Sequence, residues 1–384
     1  MENLNLNTNE LITLRKDLHK HPEVALNEFN TVKRICSFLE NHPPDELITK
    51  VGETGILAIY NGLEKGKTVV FRAELDGLPI EEINTFEHKS IYEGTSHKCG
   101  HDGHMAILCG LATQLHANRP KSGKVVLLFQ PAEEDGRGAV SIANDARFKA
   151  LNPDYIFALH NLPSYPKNQI VVKNHTFTCA VNSIIIKLNG KTSHAGEPEK
   201  GINPALTLAE ITMRYLAQIQ SDITKDNFCL ITPIYTKMGK KAYGVSAGSG
   251  ETHFTVRSDS NDQMKKIETS LEHIAKTIAR KHQLEIKIRW TQSFHANENN
   301  PTAVDYVRQS AQINGFEKVE KESPFTWGED FGIFTQQYSG AMFGLGAGLE
   351  TPALHNPDYD FPDDIIETGV AIFYQIAKQI TNAH

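Results

Sequence analysis

Leu11, Leu14 and Leu18 recur at spacings of three and four, so residues 9–21 form an amphipathic helix that Pro22 ends. Residues 27–39 repeat the pattern, with Phe29, Val32, Ile35, Cys36 and Leu39 on one side. Short apolar runs at 56–60 and 68–73 then read as strands joined by a glycine-containing turn. The run Met105-Ala106-Ile107-Leu108-Cys109-Gly110-Leu111-Ala112 reads as a buried helix, and 123–129 and 155–159 as buried strands. From about Cys179 the rhythm changes. Strand 181–188, helix 203–220, strands 228–237 and 251–257, helix 262–282 and strand 284–290 follow one another. That succession, β-α-β-β-α-β, is a unit with its own core, inserted at 179–292. Helix 301–314, a strand with a glycine-rich exit at 339–348 and a closing amphipathic helix at 363–380 resume the first part.

The 384 residues suffice for two domains. A formal charge of −7, without a basic run, argues against a nucleic-acid binder, and no apolar stretch reaches the ~18 residues of a membrane span. The first residues, Met1-Glu2-Asn3-Leu4-Asn5, lack the basic and apolar regions of an export leader. The five cysteines are odd in number and widely spaced, which fits reduced thiols and a cytoplasmic location.

The chemistry concentrates in His97-Lys98-Cys99-Gly100-His101-Asp102-Gly103-His104, directly before the buried helix. At a helix N-terminus the free N–H groups favour a thiolate, so Cys99 is expected to have a lowered pKa. Cys99 and His101 can both turn onto one metal ion. Three apolar strands each end in further candidates: Glu74 and Asp76, then Glu133-Glu134-Asp135, then His160. Three adjacent acids after a buried strand repel one another unless a cation or solvent absorbs their charge. His19, His21 and His282 read as surface histidines.

Together these stretches resemble the metal-dependent aminoacylase and carboxypeptidase-like amidohydrolases, nearest the branch of hippurate hydrolases, N-acetyl-diaminopimelate deacetylases and auxin-conjugate hydrolases. The resemblance rests on Arg72-Ala73-Glu74-Leu75-Asp76-Gly77-Leu78-Pro79, Cys99-Gly100-His101-Asp102-Gly103-His104, Phe129-Gln130-Pro131-Ala132-Glu133-Glu134 and Leu159-His160-Asn161. Ser193-His194-Ala195-Gly196-Glu197-Pro198, Gly328-Glu329-Asp330-Phe331 and Leu354-His355-Asn356-Pro357 continue it in family order. It implies an α/β fold: a doubly wound mixed-sheet catalytic domain (1–178 and 293–384) with an inserted ferredoxin-like lid that dimerises (179–292). It implies two divalent ions, Zn or Mn foremost and Co or Ni permitted, on Cys99, His101, Glu134, His160 and His355. Glu133 would be the general base, and Asp76 would orient a ligand. His104 would stand behind the ligands. From the lid, His194 would polarise the substrate carbonyl and Arg257 grip its carboxylate. Glu329 and Asp330 would either bound the pocket or cap the helix near Phe331. The implied substrate is an N-acyl amino acid or related small molecule, and the implied assembly a homodimer.

The chain departs from the branch at Glu74, where Asp is usual, and at Gly77, where Ala is usual. The Asn-Val-Ile-Pro turn that contacts substrate is replaced by Gly244-Val245-Ser246-Ala247. Two other readings compete. A thiol hydrolase with Cys99 as nucleophile leaves Glu133, Glu134, His160 and His355 without a role. A non-catalytic metal- and ligand-binding relative leaves Glu133 unexplained.

Overall fold

A computed structural model describes residues 6–382; residues 1–5, on which the expectation about an export leader rests, lie outside the described part. In chain order the elements are α1 (Thr8–Lys20), α2 (Phe29–Asn41), β1 (Glu46–Val51), β2 (Gly55–Asn61), β3 (Glu64–Glu74), α3 (His101–Ala117), β4 (Ser122–Gln130), α4 (Gly138–Asn144), α5 (Ala146–Leu151), β5 (Tyr155–Pro163), β6 (Ile170–Val172) and β7 (His175–Thr178). There follow β8 (Ala180–Asn189), β9 (Ser193–His194), α6 (Ala205–Leu216), β10 (Leu230–Met238), β11 (Val245–Ser246), β12 (Ser249–Ser258), α7 (Asn261–Lys281) and β13 (Glu285–Phe294). The last are β14 (Asn297–Asn299), α8 (Pro301–Asn314), β15 (Lys318–Glu320), α9 (Gly332–Thr335), β16 (Gly340–Gly348) and α10 (Ile366–Thr381). Among the described residues no helix is long and apolar enough to cross a membrane.

The chain divides into two compact units: residues 1–177, 297–322 and 329–384 in the first, and 178–296 with 323–328 in the second. The first is built on an eight-stranded mixed sheet of order β1-β2-β4-β3-β5-β16-β6-β15. Strands β4, β3, β5 and β16 run parallel, so their C-terminal ends lie side by side. Runs such as Val125–Phe129 and Ile156–Leu159 are apolar throughout because helices cover both faces of a parallel sheet. β2 and β3, successive in sequence, are not neighbours; β4 lies between them.

Helix α3 is the buried helix of this unit, and it begins earlier than the apolar run predicts. It takes in His101, Asp102 and His104, so half of the polar cluster is helical. The start is made by Gly100 at φ 95°, a left-handed conformation, and a Cβ there would lie 2.3 Å from the Asn161 amide. No side chain caps α3; the Gly103 and His104 N–H groups donate to the Gly100 carbonyl.

The second unit has a four-stranded antiparallel sheet of order β10-β12-β8-β13, with α6 and α7 packed on it. Read in chain order the strands are arranged 2-3-1-4, the ferredoxin-like pattern. Alternating burial along β12 sends Phe254 and Val256 into a core with Ile184, Ile186, Ile211, Tyr215 and Leu271. β8 is central, and β10 and β13 are the edges.

Candidate active site

The parallel strand ends collect the candidate chemistry of the first unit. Such ends are where ligands bind in open α/β sheets. β3 runs on to Asp76, β4 to the turn holding Glu133 and Glu134, β5 carries His160, and the segment after β16 carries His355. Ala132, at φ 50°, reverses the chain before the two glutamates. Its N–H donates to the buried carboxylate of Glu28, which also accepts from the Leu26 N–H and the Thr54 hydroxyl.

Three sets of potential ligand atoms overlap. Cys99, His101 and His160 form one; Cys99, Glu134 and His355 another; His101, Glu133 and Glu134 a third, with the atoms of each set within 4.8 Å of one another. Cys99 Sγ lies 3.5 Å from His160 Nε2 and 3.4 Å from His355 Nε2. His101 Nε2 lies 3.9 Å from Glu134 and 4.0 Å from Glu133, and His355 Nε2 3.7 Å from Glu134. His355 is half exposed; the others are buried or nearly so.

This donor set fits divalent ions on two grounds. His101 Nδ1 donates to the Asp76 carbonyl at 2.8 Å and His160 Nδ1 to the Asn161 carbonyl at 2.9 Å. Their Nε2 atoms are thereby turned inward, the usual outer support of metal-bound histidine. His101 Nε2 and Glu134 Oε1 are buried with no hydrogen-bond partner, an arrangement that costs free energy unless something else binds there.

The electrostatics agree. Burial and the charges of Glu329, Glu134 and Asp330 raise the Glu133 carboxyl well above the usual carboxylate range. Burial likewise lifts Glu134, to about 7. The expected thiolate at Cys99 is corrected: burial, then Glu134, Glu133 and Glu329, push its pKa up well beyond the ordinary thiol value. The dipole of one helix is outweighed by desolvation and three acids. Burial disfavours a charged His101, but Asp76 and Glu134 prevail and raise it to about 9. Burial holds His160 down at about 4. Acids outnumber fixed cations here, which is the balance a bound cation corrects.

Around this centre lies a buried ionic frame. Arg72, fully buried, donates to Glu74, to Glu329 at 2.8 Å, to Asp330 at 2.7 Å and to Gln130 at 2.9 Å. Glu329 thus braces Arg72, and its oxygen also accepts from the Phe331 N–H. Asp76 accepts from the Glu134 N–H at 3.0 Å. His104 lies between Glu74 at 2.7 Å and the Asn161 N–H, which donates to its Nε2.

His19 is not a surface residue. It is fully buried, 2.9 Å from Asp102 and 3.1 Å from Glu82, with Arg15 also on Asp102. The i, i+4 helix pattern marks apolar faces, and a charged pair buried on such a face is invisible to it. Burial opposes the charged ring, but Asp102 and Glu82 raise it to about 9. Below the unfolded value of about 6.5 both states hold the proton and the stabilisation is complete; it fades as pH rises through about 9. The stability gap between wild type and His19→Gln is therefore expected to be widest at pH 6, about 3 kcal/mol at most, and to narrow by pH 9.5. Urea midpoints at the two pH values check this; a gap independent of pH would mean that His19 does not carry the charge.

His194 and Arg257 belong to the second unit. His194 sits on β9, paired with Val245 of β11. The Gly244–Ala247 stretch is thus the strand partner of His194. Arg257 ends β12, paired with Val181 and Leu230, and donates to the Thr326 carbonyl at 2.8 Å. Among the described residues no carboxylate lies within ion-pair distance of it.

The fold and the convergent ligand set define an α/β metallohydrolase-type centre, and comparison with known proteins supplies the family. Residues 70–379 match Peptidase family M20/M25/M40, and the chain belongs to it. It is thus an amide-bond hydrolase of the amidohydrolase group that its motifs resemble. It is 30% identical to an N-acetyldiaminopimelate deacetylase of Bacillus subtilis, over 94% of this chain and 96% of that protein. An N-acetylcysteine deacetylase of the same organism is 28% identical over 96% of each. Among solved structures, a dinuclear metal-binding M20 peptidase of Bacillus subtilis matches with a TM-score of 0.83 at 26% identity, covering 98% of this chain and 99% of that one. A chain from methicillin-resistant Staphylococcus aureus matches with a TM-score of 0.88 at 23% identity over 99% and 98% of the two chains, a likeness of fold.

Proposed function

We propose that this chain is a dinuclear metal-dependent amidohydrolase that cleaves the amide bond of N-acyl amino acids. The observation that carries it is the overlap of the three ligand sets through Cys99, His101 and Glu134, with unpartnered inward atoms on the last two. Cys99, His101, Glu134, His160 and His355 hold the ions, Zn or Mn foremost. Bound divalent ions would acidify a water and polarise the scissile carbonyl. Glu133 accepts the proton of that water and passes it to the leaving nitrogen. Asp76 orients His101 through its carbonyl and the Glu134 backbone through its carboxylate. Glu329 bounds the pocket through its hold on Arg72. The deacetylase relatives favour a small acyl group on an amino acid.

The second unit, read as the lid, supplies His194 to the substrate carbonyl and Arg257 to its carboxylate. Arg257 has planar paired donors suited to a carboxylate. Arg257→Lys keeps charge but loses the fork, so KM for N-acyl amino acids is expected to rise about tenfold or more, and KM for the matching amides far less. Equal changes in both would make Arg257 structural. A homodimer through this unit is supported by edge strand β10, which exposes Ile234, Tyr235 and Met238, with Leu206 and Met213 of α6. A cytoplasmic location completes the reading.

The test is a turnover screen of N-acyl amino acids with protein stripped by chelator and resupplied with Zn²⁺, Mn²⁺ or Co²⁺. Stripped protein is expected to be idle and reloaded protein active. Full activity after exhaustive stripping would overturn the metal role. Metal binding without turnover of any N-acyl amino acid would favour the non-catalytic alternative.

A further inference from the structure

Lys98 is among the largest fully buried side chains, and the ligand set does not use it. A buried ammonium is costly unless its donors are satisfied. Its Nζ donates to Glu82 at 2.6 Å and to the Tyr359 carbonyl at 2.7 Å. Its own carbonyl accepts from the His355 N–H at 2.7 Å. His355 is held at φ 65°, a conformation that a non-glycine residue keeps only when its surroundings impose it. Both ends of Lys98 therefore grip one segment, from His355 to Tyr359. Tyr359 closes the circuit: its hydroxyl donates to Asn161 at 2.5 Å, and the Asn161 amide donates to the Cys99 carbonyl at 2.7 Å. Cys99, His160 and His355 each neighbour a member of this circuit in sequence or belong to it.

We propose that Lys98 is a positioning residue of the metal centre, the clasp that holds the segment bearing His355 against the loop bearing Cys99. The role rests on the ligand set proposed above. Without the ammonium the segment keeps the His355 N–H bond to the residue 98 carbonyl, the Ile83 N–H bond to Pro357 and the Tyr359–Asn161 bond, but it loses its buried charged anchor at the Tyr359 carbonyl, and His355 is held less firmly against Cys99 and Glu134. The ion that depends on His355 then binds less tightly, while the ion held by Cys99, His101 and His160 does not. Glu82 holds Lys98 in place; it also accepts from His19 and from the Ser90 N–H, so it stays partnered when Lys98 is changed.

The experiment titrates metal-free protein with Cd²⁺, following thiolate-to-cadmium absorbance and bound metal per chain, in wild type, Lys98→Met, Glu82→Gln and His355→Ala. In Lys98→Met one of two ions is expected to bind about 10- to 100-fold more weakly, the scale of outer-support mutations. His355→Ala should weaken the same ion, and Glu82→Gln should do so to a smaller degree. Wild-type affinity for both ions in folded Lys98→Met would reduce Lys98 to a space-filling residue and overturn the role. If Lys98→Met does not fold, Glu82→Gln decides: a selective loss of the His355-dependent ion supports the clasp, and unchanged affinity overturns it. A wild type that binds no divalent ion overturns the ligand set and the clasp together, whereas two ions bound with wild-type affinity in Lys98→Met and Glu82→Gln overturn the clasp alone.

Discussion

Glu133→Gln is expected to keep close to two metal ions per chain, bind substrate and lose about 10²–10⁴-fold in kcat. The substitution preserves size and hydrogen bonding and removes the basic oxygen. Glu133 and Glu134 are adjacent and both buried or nearly so, but their surroundings differ. Glu134 lies within reach of Cys99, His101 and His355, and its N–H is held by Asp76. Glu133 lies 4.0 Å from His101, and one of its oxygens is met by the Asp330 N–H at 3.4 Å. Glu134→Gln is therefore expected to shed metal first, and excess metal should restore part of its activity. Metal content and kcat measured on both variants decide the assignment. If Glu133→Gln is the variant that sheds metal, the roles are reversed; if it keeps wild-type kcat, the base is another group.

Arg72→Met is expected to lower stability by about 3–5 kcal/mol, the scale for removing one partner from a buried ionic network. Arg72 is the only fixed cation among Glu74, Glu329 and Asp330, all buried, in the described part of that network. Burial raises Asp330 to about 7 even with Arg72 beside it. Without the guanidinium the three carboxylates repel one another in a poorly solvated space. Arg72→Lys keeps the charge but cannot reach four acceptors, and it should fall between wild type and Arg72→Met. Denaturant midpoints of the three proteins measure this. A loss under about 1 kcal/mol for Arg72→Met would show that the acids take up protons or water at little cost.

The same network explains where sequence reading stops. Apolar periodicity places α1, α8, strands β2, β3, β4, β5 and β16 of the main sheet and the six long elements of the inserted unit, most of which bury one face or both, and burial dictates spacing. It does not find β1, whose residues are largely exposed, or two- and three-residue strands such as β9 and β15, which are set by their partners. It cannot order strands: β4 between β2 and β3 follows from a crossover that no local pattern records.

The candidate ligands were legible because their chemistry is rare in a row. Cys99 with His101, Glu133 with Glu134, and His160 stand at or near the ends of apolar runs, and a parallel sheet brings such ends together. What the chain alone determined was the residue types, their order and the strand ends that carry them. Tertiary structure decided which atoms face each other: His104 between Glu74 and Asn161, His19 buried on Asp102, Glu329 on Arg72 and Lys98 against the His355 segment. It also pushed the Cys99 thiol pKa up, by burial and neighbouring acids, where the helix N-terminus alone would lower it. The physical reason is common to all of these. Polar side chains in a low-dielectric interior are governed by their few immediate partners and by lost hydration, and those partners come from parts of the chain tens to hundreds of residues away.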